Sequence, residues 1–246
     1  MDRLIYTAMT GAKHVLEQQA NASHNLANAS TTGFRAQLDS FRAVPVVSDG
    51  LPTRVFVVDS TVGTDFTVGA IQTTGRALDV AVQGKGWIAV QLDDGSEAYT
   101  RNGSLKLSDN GVLQTHAGQS VLGDGGPISI PPDVNIAIGR DGTVSGISTV
   151  GKSGTVNVLG RIKLVNPAEN LITRGGDGLF RAMDGSTVEA DARVTVTGGA
   201  LEDSNVNVVD AMVDMISLSR QFDLHMKMLQ SAESNGNKAG QVLALS

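Results

Sequence analysis

Apolar residues recur every three or four positions through the first 28 residues of the chain. Six of the seven seam positions are apolar, and their spacing is that of a heptad repeat. The seam consists of Ile5, Ala8, Ala12, Val15, Gln19, Ala22 and Leu26. It predicts a helix from about Asp2 to about Asn28, roughly 40 Å long. Two successive threonines and Gly33 favour the end of the helix within residues 29–35.

The C-terminal segment shows the same alternating spacing of three and four residues. Its seam consists of Val208, Met212, Met215, Ser219, Phe222, Met226 and Leu229. Ser204 and Asn205 are residue types that cap helix N-termini, so we expect the helix to begin there and to continue to about Ser234. Beyond that residue, Gly236 and Gly240 favour a break or fraying.

Two arrangements of these helices are compatible with the pattern. They could be ordinary amphipathic helices on one globular core, or they could pair as an antiparallel two-stranded coiled coil. In the coiled coil, a register that sets Leu26 beside Val208 also sets Val15 beside Ser219. Because Gln19 lies one helical turn from Val15, the two polar seam residues Gln19 and Ser219 are then close together, which helps to fix the register. Alanine-rich seams bury little apolar area, so such helices are marginal alone and favour packing into an assembly.

Glycine separates these two ends from the rest of the chain. Of 29 glycines, 26 lie in residues 33–203, together with all six prolines. Residues 37–75 show no helical period, whereas 76–200 show alternating apolar residues and recurrent turn signals such as Asp94–Gly95. Further alternation appears in Val134–Ile138 and Thr187–Val196.

The sequence therefore predicts an α+β fold. A hairpin-rich, antiparallel all-β central domain is expected between N- and C-terminal helices that pair as an antiparallel coiled coil. The expected parts are an N-terminal helix in 1–32, an extended arm or irregular β structure in 33–75, the β domain in 76–203 and a C-terminal helix in 204–246.

Charge and hydrophobicity argue against nucleic-acid binding, a transmembrane segment and a signal peptide. With 19 basic and 25 acidic residues the formal net charge is −6, which disfavours nucleic acid as a main partner. No run of about 18 apolar residues is present, so we expect no transmembrane segment. The N-terminus lacks the continuous apolar core of a secretory signal, so we expect no cleavable signal peptide.

Candidate chemistry is weak along the whole sequence. Gly146–Ser153 matches the phosphate-binding pattern G-x-x-x-x-G-K-S, but a strand pattern follows where that chemistry needs a helix. The four histidines show no zinc-type spacing. We therefore expect no catalytic residues, no cofactor and no metal, and we expect that the protein is not an enzyme.

Several segments, in order along nearly the whole chain, resemble the bacterial flagellar axial family of rod and hook proteins. They are Met1–Tyr6, Asn25–Arg35, Thr74–Asp79, Tyr99–Gly103, Val121–Gly123, Asp141–Val144, Leu159–Arg161, Leu201–Val206, Met212 and Met215–Ile216. The opening residues resemble a proximal rod protein more than the distal one. Gly236, Asn237 and Gly240 depart from the continuous helix that is more typical of the family.

The resemblance implies a structural subunit of the basal-body rod, the driveshaft that crosses the periplasm from motor to hook. It implies type III export without a cleavable signal, contact with the export apparatus in transit, and assembly with copies of itself and other rod proteins through terminal helices. The expected interface comprises both seams and, from the family's N-terminal signature, Asn25, Asn28, Gly33 and Phe34.

Three alternatives remain at this point. The first is the distal rod protein or another axial subunit of the same family. The second is a secreted β-domain binding module with a helical tether, which predicts a ligand site on the β domain. The third is a nucleotide-binding enzyme, which predicts that nucleotide binding is lost when Lys152 is replaced by alanine.

Overall fold

The structure is a computed structural model, and it describes residues 2–45, 55–132, 134–148 and 156–244. The described residues separate into two units, each with its own internal packing. The terminal unit comprises Met1–Ala29, Ala36–Asp65 and Val206–Ser246, as far as they are described. The central unit comprises Ser30–Arg35 and Phe66–Asn205. The α+β class, with an antiparallel β-rich centre between N- and C-terminal helices, is confirmed.

The first helix, α1, spans Asp2–Ala27, in agreement with the prediction. At its end, the backbone N–H of Asn28 donates hydrogen bonds to the carbonyl oxygens of His24 and Asn25, at 3.2 and 3.1 Å. The side-chain amide of Asn28 also donates to the His24 carbonyl at 2.9 Å. These bonds satisfy carbonyl groups that a helix end leaves without partners.

The second helix, α2, spans Val208–Ala244, and its start differs from the prediction. Its cap is Asn207, whose side-chain Oδ1 accepts the Val209 N–H at 3.0 Å. Asn205, one of the two expected caps, instead donates its side-chain amide to the Thr67 carbonyl at 3.1 Å, within the central unit. The expectation of a start at Ser204 or Asn205 was therefore wrong by three or four residues.

The predicted break near Gly236 was also wrong, because α2 is continuous through Gly236 and Gly240. A methyl group added at Gly236 would find no atom within 4 Å. Glycine inside a helix costs about 1 kcal/mol relative to alanine, which weakens a long helix without interrupting it.

Two strands complete the terminal unit. β1 (Gln37–Pro45) and β2 (Val55–Thr64) pair antiparallel, from Gln37 opposite Thr64 to Pro45 opposite Val55. The register shifts between Ser40 and Phe41, which introduces a bulge into the pair. Both strands contact α1, and α1 contacts α2, so the terminal unit is a helix pair with a β hairpin packed against α1.

The central unit is built from short strands. They are β3 (Ile71–Thr73), β4 (Val80–Gln83), β5 (Trp87–Gln91), β6 (Glu97–Thr100), β7 (Leu105–Leu107), β8 (Leu113–Thr115), β9 (Ser120–Gly123), β10 (Gly126–Pro127), β11 (Val134–Ile138), β12 (Thr143–Ser148), β13 (Val156–Arg161), β14 (Leu164–Val165), β15 (Ile172–Arg174), β16 (Phe180–Ala182), β17 (Thr195–Gly198) and β18 (Ala200–Glu202). A 3-10 turn occupies Glu169–Leu171. Every strand pair in the described ranges is antiparallel, as the hairpin pattern predicts.

The largest sheet has the strand order β15-β16-β6-β5-β9-β8-β7, with β14 also paired to β5 and β10 to β9. A second sheet has the order β11-β12-β13, and two smaller pairs join β17 to β4 and β18 to β3. The turn between β5 and β6 contains the predicted Asp94–Gly95 signal, and Gly95 adopts a φ of +83° there. The local turn signals thus identify hairpins correctly.

Strand β5 separates two apolar clusters. Ile88 and Val90 face a cluster that includes Leu105, Leu113 and Val121. The alternate residues Trp87 and Ala89 belong to a second cluster with Tyr99 and Phe180. Both faces of this central strand are therefore buried, which gives the unit its own hydrophobic core.

The predicted alternation in Thr187–Val196 forms a strand only from Thr195 onwards. The backbone N–H of Val188 is bound to the Tyr99 hydroxyl at 2.9 Å, and the Asp191 carboxylate accepts the Arg193 N–H at 2.9 Å. Because these groups bind side chains rather than a neighbouring strand, the segment turns instead of extending a sheet.

Tyr99 makes the stability of the central unit sensitive to high pH. Burial away from water raises the pKa of Tyr99 to about 12 from an ordinary value of 10.0. The folded state therefore favours the protonated phenol. This contribution is fully present below about pH 10 and is lost as the pH rises to about 12. A pKa that rises from 10.0 to about 12 corresponds to roughly 2–3 kcal/mol of stability.

We expect urea unfolding, followed by circular dichroism, to show this loss of stability between about pH 10 and pH 12. The variant Tyr99→Phe is the control, because it keeps the ring but cannot ionise. Its stability should fall less over the same interval. An equal fall in both proteins would show that Tyr99 is not responsible.

Candidate assembly interface

The inner face of α1 coincides with the predicted seam. Ala8, Ala12 and Val15 are buried, and the other four seam residues, Ile5, Gln19, Ala22 and Leu26, are partly buried. Apolar residues outside the seam, such as Tyr6 and Met9, are exposed. The face that packs inside the terminal unit is thus the one that the heptad spacing indicates.

The inner face of α2 is rotated from the predicted seam. Seven residues with regular spacings of four and three are partly or fully buried: Ala211, Met215, Leu218, Phe222, His225, Leu229 and Ala232. Met215, Phe222 and Leu229 belong to both sets. The remaining predicted seam residues are exposed, and they are Val208, Met212, Ser219 and Met226. Four of the seven predicted positions therefore face away from the packed side of this helix.

The two helices approach each other closely at Gly11. A methyl group added there would lie 2.5 Å from Cε1 of His225, which is shorter than any normal contact. The Nδ1 atom of His225 is buried and makes no hydrogen bond to the described residues. A polar residue thus occupies the inner face of α2 opposite the one glycine of α1, where its ring fits only because no side chain stands opposite.

Exposed apolar residues cluster in the first turns of α2, on the side opposite its inner face. We call Val209, Met212, Val213 and Ile216 the outer patch, and all four are at least about half exposed. Further along the same side, charged residues such as Arg220, Asp223 and Lys227 surround the exposed Leu224. A compact apolar patch followed by charge is typical of a protein contact surface.

The four signature residues of the expected interface make contacts inside the chain. Asn25 binds the backbone of Gln37 at both ends, donating to its carbonyl at 2.9 Å and accepting its N–H at 2.8 Å. Gly33 donates its N–H to the Glu202 carbonyl at 2.7 Å. Phe34 is buried, and the guanidinium carbon of Arg174 lies 4.4 Å from the centre of its ring. Asn28 belongs to the end of α1 described above. These four residues, which we expect at the interface between subunits, therefore also stabilise the fold of a single chain.

Three of the family-like segments meet at a buried ion cluster, which we define as Arg35, Arg101 and Glu202. Arg35 Nη2 lies 2.6 Å from Glu202 Oε1, and Arg101 Nη1 lies 3.1 Å from Oε2. Loss of hydration on burial lowers the pKa of Arg101 to about 10; Glu202 opposes this effect and the nearby charge of Arg35 adds to it. Arg101 is therefore charged at neutral pH, and the cluster sets two positive charges against one negative charge.

The described residues give little support for phosphate binding, metal binding or a membrane-spanning helix. Gly146 of the phosphate-binding pattern lies in strand β12, and residues 149–153 of that pattern lie outside the described residues. Within the described ranges, no group of three or more acidic, histidine or cysteine side chains is placed to hold a metal ion. In those ranges, too, no helix is both long and apolar enough to cross a membrane.

Comparison with known proteins relates the chain to one family along its whole length. Residues 81–146 match the family model for the flagellar hook protein FlgE/F/G D1 domain. Residues 197–242 match the model for the flagellar basal body rod FlgEFG protein C-terminal region. Arg101 lies in the first of these matches, and Glu202 and the outer patch lie in the second.

Full-length relatives identify the branch of this family. The chain is 48% identical over 252 aligned residues to the flagellar basal-body rod protein FlgF of Escherichia coli (strain K12), with all of both chains covered. Identity to FlgF of Salmonella typhimurium (strain LT2) is 46%, again over all of both chains. The FlgG protein of Bacillus subtilis (strain 168) is 30% identical, over 95% of this chain and 96% of its own. The chain belongs to the FlgF family of flagellar basal-body rod proteins, whose members are structural subunits and not enzymes.

Proposed function

We propose that the terminal segments 1–32 and 204–246 assemble this subunit into the proximal part of the rod, where it helps to transmit motor torque to the hook. The observation that carries the proposal is the full-length identity of 48% to a FlgF protein. The 30% identity to a FlgG protein supports the alternative of another axial subunit less strongly. Export through the type III apparatus and a periplasmic position of the rod belong to the same proposal.

Pairing of α1 and α2 as an antiparallel coiled coil is part of this proposal. The buried residues of both helices follow spacings of three and four, as such pairing requires. The predicted register sets Val15 beside Ser219 and therefore position 11 beside position 223. Gly11 contacts His225, two positions further along, which supports a register close to the predicted one.

The outer patch is the surface that we assign to neighbouring subunits, both copies of this chain and other rod proteins. Its four apolar side chains are exposed on a helix whose opposite side is already packed. The exposed seam residues Val208 and Met226 flank it along the helix. Burying these side chains at about 25 cal/mol per Å² favours association.

Replacing Ile216 by aspartate tests this assignment. Ile216 is 57% exposed, so the variant should retain the circular dichroism spectrum and thermal unfolding of the original chain. A carboxylate buried without a partner at an interface costs roughly 3 kcal/mol, or about a hundredfold in affinity. We therefore expect incorporation into basal bodies, measured by immunoblotting of purified basal bodies, to fall below detection.

The matched control is Gln221→Asp, which places the same charge on an exposed residue of α2 that lies on a different side of the helix from the outer patch. This variant should be incorporated normally. Normal incorporation of Ile216→Asp would contradict the assignment of the outer patch. Loss of incorporation in both variants would instead indicate a general effect of negative charge on α2.

A further inference from the structure

Glu202 occupies an unusual position in the central unit, because four polar groups from three distant segments converge on it. Its carboxylate accepts the backbone N–H of Gly69 at 2.9 Å and contacts Arg35 and Arg101. Its backbone carbonyl accepts the N–H of Gly33 at 2.7 Å. The side chain of Glu202 is fully buried, so each of these bonds is shielded from water.

The partners of Glu202 are the segments by which the chain enters and leaves the central unit. The chain passes between the two units after Ala29, Arg35, Asp65 and Asn205. Gly33 and Arg35 lie between the first two passages, Gly69 follows the third by four residues, and Glu202 precedes the fourth by three. Glu202 thus contacts, through its side chain or its backbone, a residue near each of the first three passages, and it lies close to the fourth itself. We call residues 30–35, 66–70 and 202–205 the passage segments.

Additional contacts join the same segments. The backbone N–H of Asn205 reaches the Phe34 carbonyl at 3.4 Å, and its side chain reaches Thr67. A methyl group added at Gly69 would lie 2.0 Å from the Asp203 carbonyl oxygen, so these two backbones are in direct contact. The passage segments therefore form one closely packed group around Glu202.

Charge makes Glu202 difficult to replace in this group. Arg35 is fully buried, and none of its three guanidinium nitrogens makes a hydrogen bond to the described residues, so the ion-pair contact with Glu202 is what balances its charge. Arg101 is held in addition by the carbonyl oxygens of Val82 and Gly84. Removing the carboxylate would leave two buried guanidinium groups without an anion, which is strongly unfavourable. A buried ion pair adds little net stability where the loss of hydration offsets the attraction between the charges.

We propose that Glu202 is a clamp that holds the passage segments together, so that a pull on any one of them is resisted by the other two. The proposal deepens the function proposed above, since a rod subunit under torque is loaded through its terminal segments. Glu202 acts here by positioning other residues, and its effect is local to the passage segments.

Hydrogen exchange on the purified full-length chain tests the clamp. In Glu202→Gln we expect backbone amides in all three passage segments to exchange at least tenfold faster. The amides of Ile88 and Val90 in β5 should change by less than threefold. Exchange that rises equally throughout the central unit, or only next to residue 202, would overturn the proposal, since either result describes an ordinary structural residue.

Glu97→Gln is the matched control, because it removes the partner of Lys163 from another largely buried ion pair of the central unit, with a contact of 2.7 Å. It should leave exchange in the passage segments unchanged. If it accelerates exchange there as Glu202→Gln does, the clamp is not specific to Glu202.

A second variant keeps the test decisive if Glu202→Gln fails to fold. Combining Glu202→Gln with Arg35→Met restores the net charge of the ion cluster but not its bonds to the passage segments. The clamp predicts exchange that is still at least tenfold faster, whereas a return to the original rates would show that only charge balance matters. These measurements do not involve assembly, so their failure is distinguishable from failed incorporation of Ile216→Asp.

Discussion

Alanine in place of Gly33 is expected to lower the free energy of unfolding of the central unit by roughly 3 kcal/mol or more. Gly33 has a φ of +68°, a left-handed conformation that costs a residue with a side chain about 1–2 kcal/mol. The added methyl group would lie 2.4 Å from the carbonyl carbon of Arg101, and that backbone cannot move aside cheaply. Overpacking of this kind costs about 1–3 kcal/mol more.

Gly75→Ala separates these two effects. Gly75 has a nearly identical φ of +72°, but no atom lies within 4 Å of the methyl group that alanine would add. We therefore expect it to cost only the conformational part, about 1–2 kcal/mol. Urea unfolding followed by the fluorescence of Trp87, the one tryptophan of the chain, measures both variants. Equal losses at the two positions would mean that Gly33 is not in close contact with Arg101.

Aspartate in place of Val15 is expected to unfold the helix pair of the terminal unit. Val15 is 5% exposed on the inner face of α1, and a carboxylate there would have to be buried without a partner. The penalty of roughly 3 kcal/mol or more exceeds what an alanine-rich seam contributes. We expect the helical signal in circular dichroism to fall by at least half and incorporation into basal bodies to be lost. The fluorescence of Trp87 should not change.

Leu16→Asp is the control for this experiment. Leu16 is the next residue of the same helix and is 49% exposed, so its replacement adds the same charge outside the inner face. Its helical signal should remain within about a tenth of the original, because exposed substitutions alter stability by about 0.5 kcal/mol. Equal helix loss in both variants would contradict the burial of Val15 in the helix pair.

The sequence predicts α1 well because its pattern has a single solution. Small apolar residues such as Ala8 and Ala12 recur along the seam, whereas charged ones such as Lys13 and Glu17 lie beside it, so the spacing identifies one face clearly. The start of α2 has no such contrast. Val208, Val209 and Met212 place apolar side chains on several sides of the helix, and the heptad spacing alone cannot select between them.

The inner face of α2 is decided by a contact that the local pattern does not contain. The seam predicted for α2 contains Met226, whereas the inner face contains its polar neighbour His225. The absence of a side chain at Gly11 leaves room for the imidazole ring, so His225 fits on the inner face of α2. Long-range packing thus overrides residue type at this position.

The ion cluster also could not be predicted from local sequence patterns, because it depends on contacts between distant segments. Arg35, Arg101 and Glu202 are separated by 66 and 101 positions, and each stands in a stretch with no unusual periodicity. A family resemblance was present at all three places, yet resemblance indicates that segments belong to a common fold and not that they touch. The pairing of β18 with β3, between distant parts of the chain, brings Glu202 opposite Ile71 and close to Gly69.

The packing of α1 against α2 has a consequence for the life of the polypeptide. Ribosomes make α1 before α2, with some 180 residues between them, so the inner face of α1 stays without its partner while those residues are translated. A product that terminates early has no α2 with which to cover that face or to present the outer patch. The terminal unit can therefore form only after the polypeptide contains both helices, so a product truncated before α2 cannot complete it.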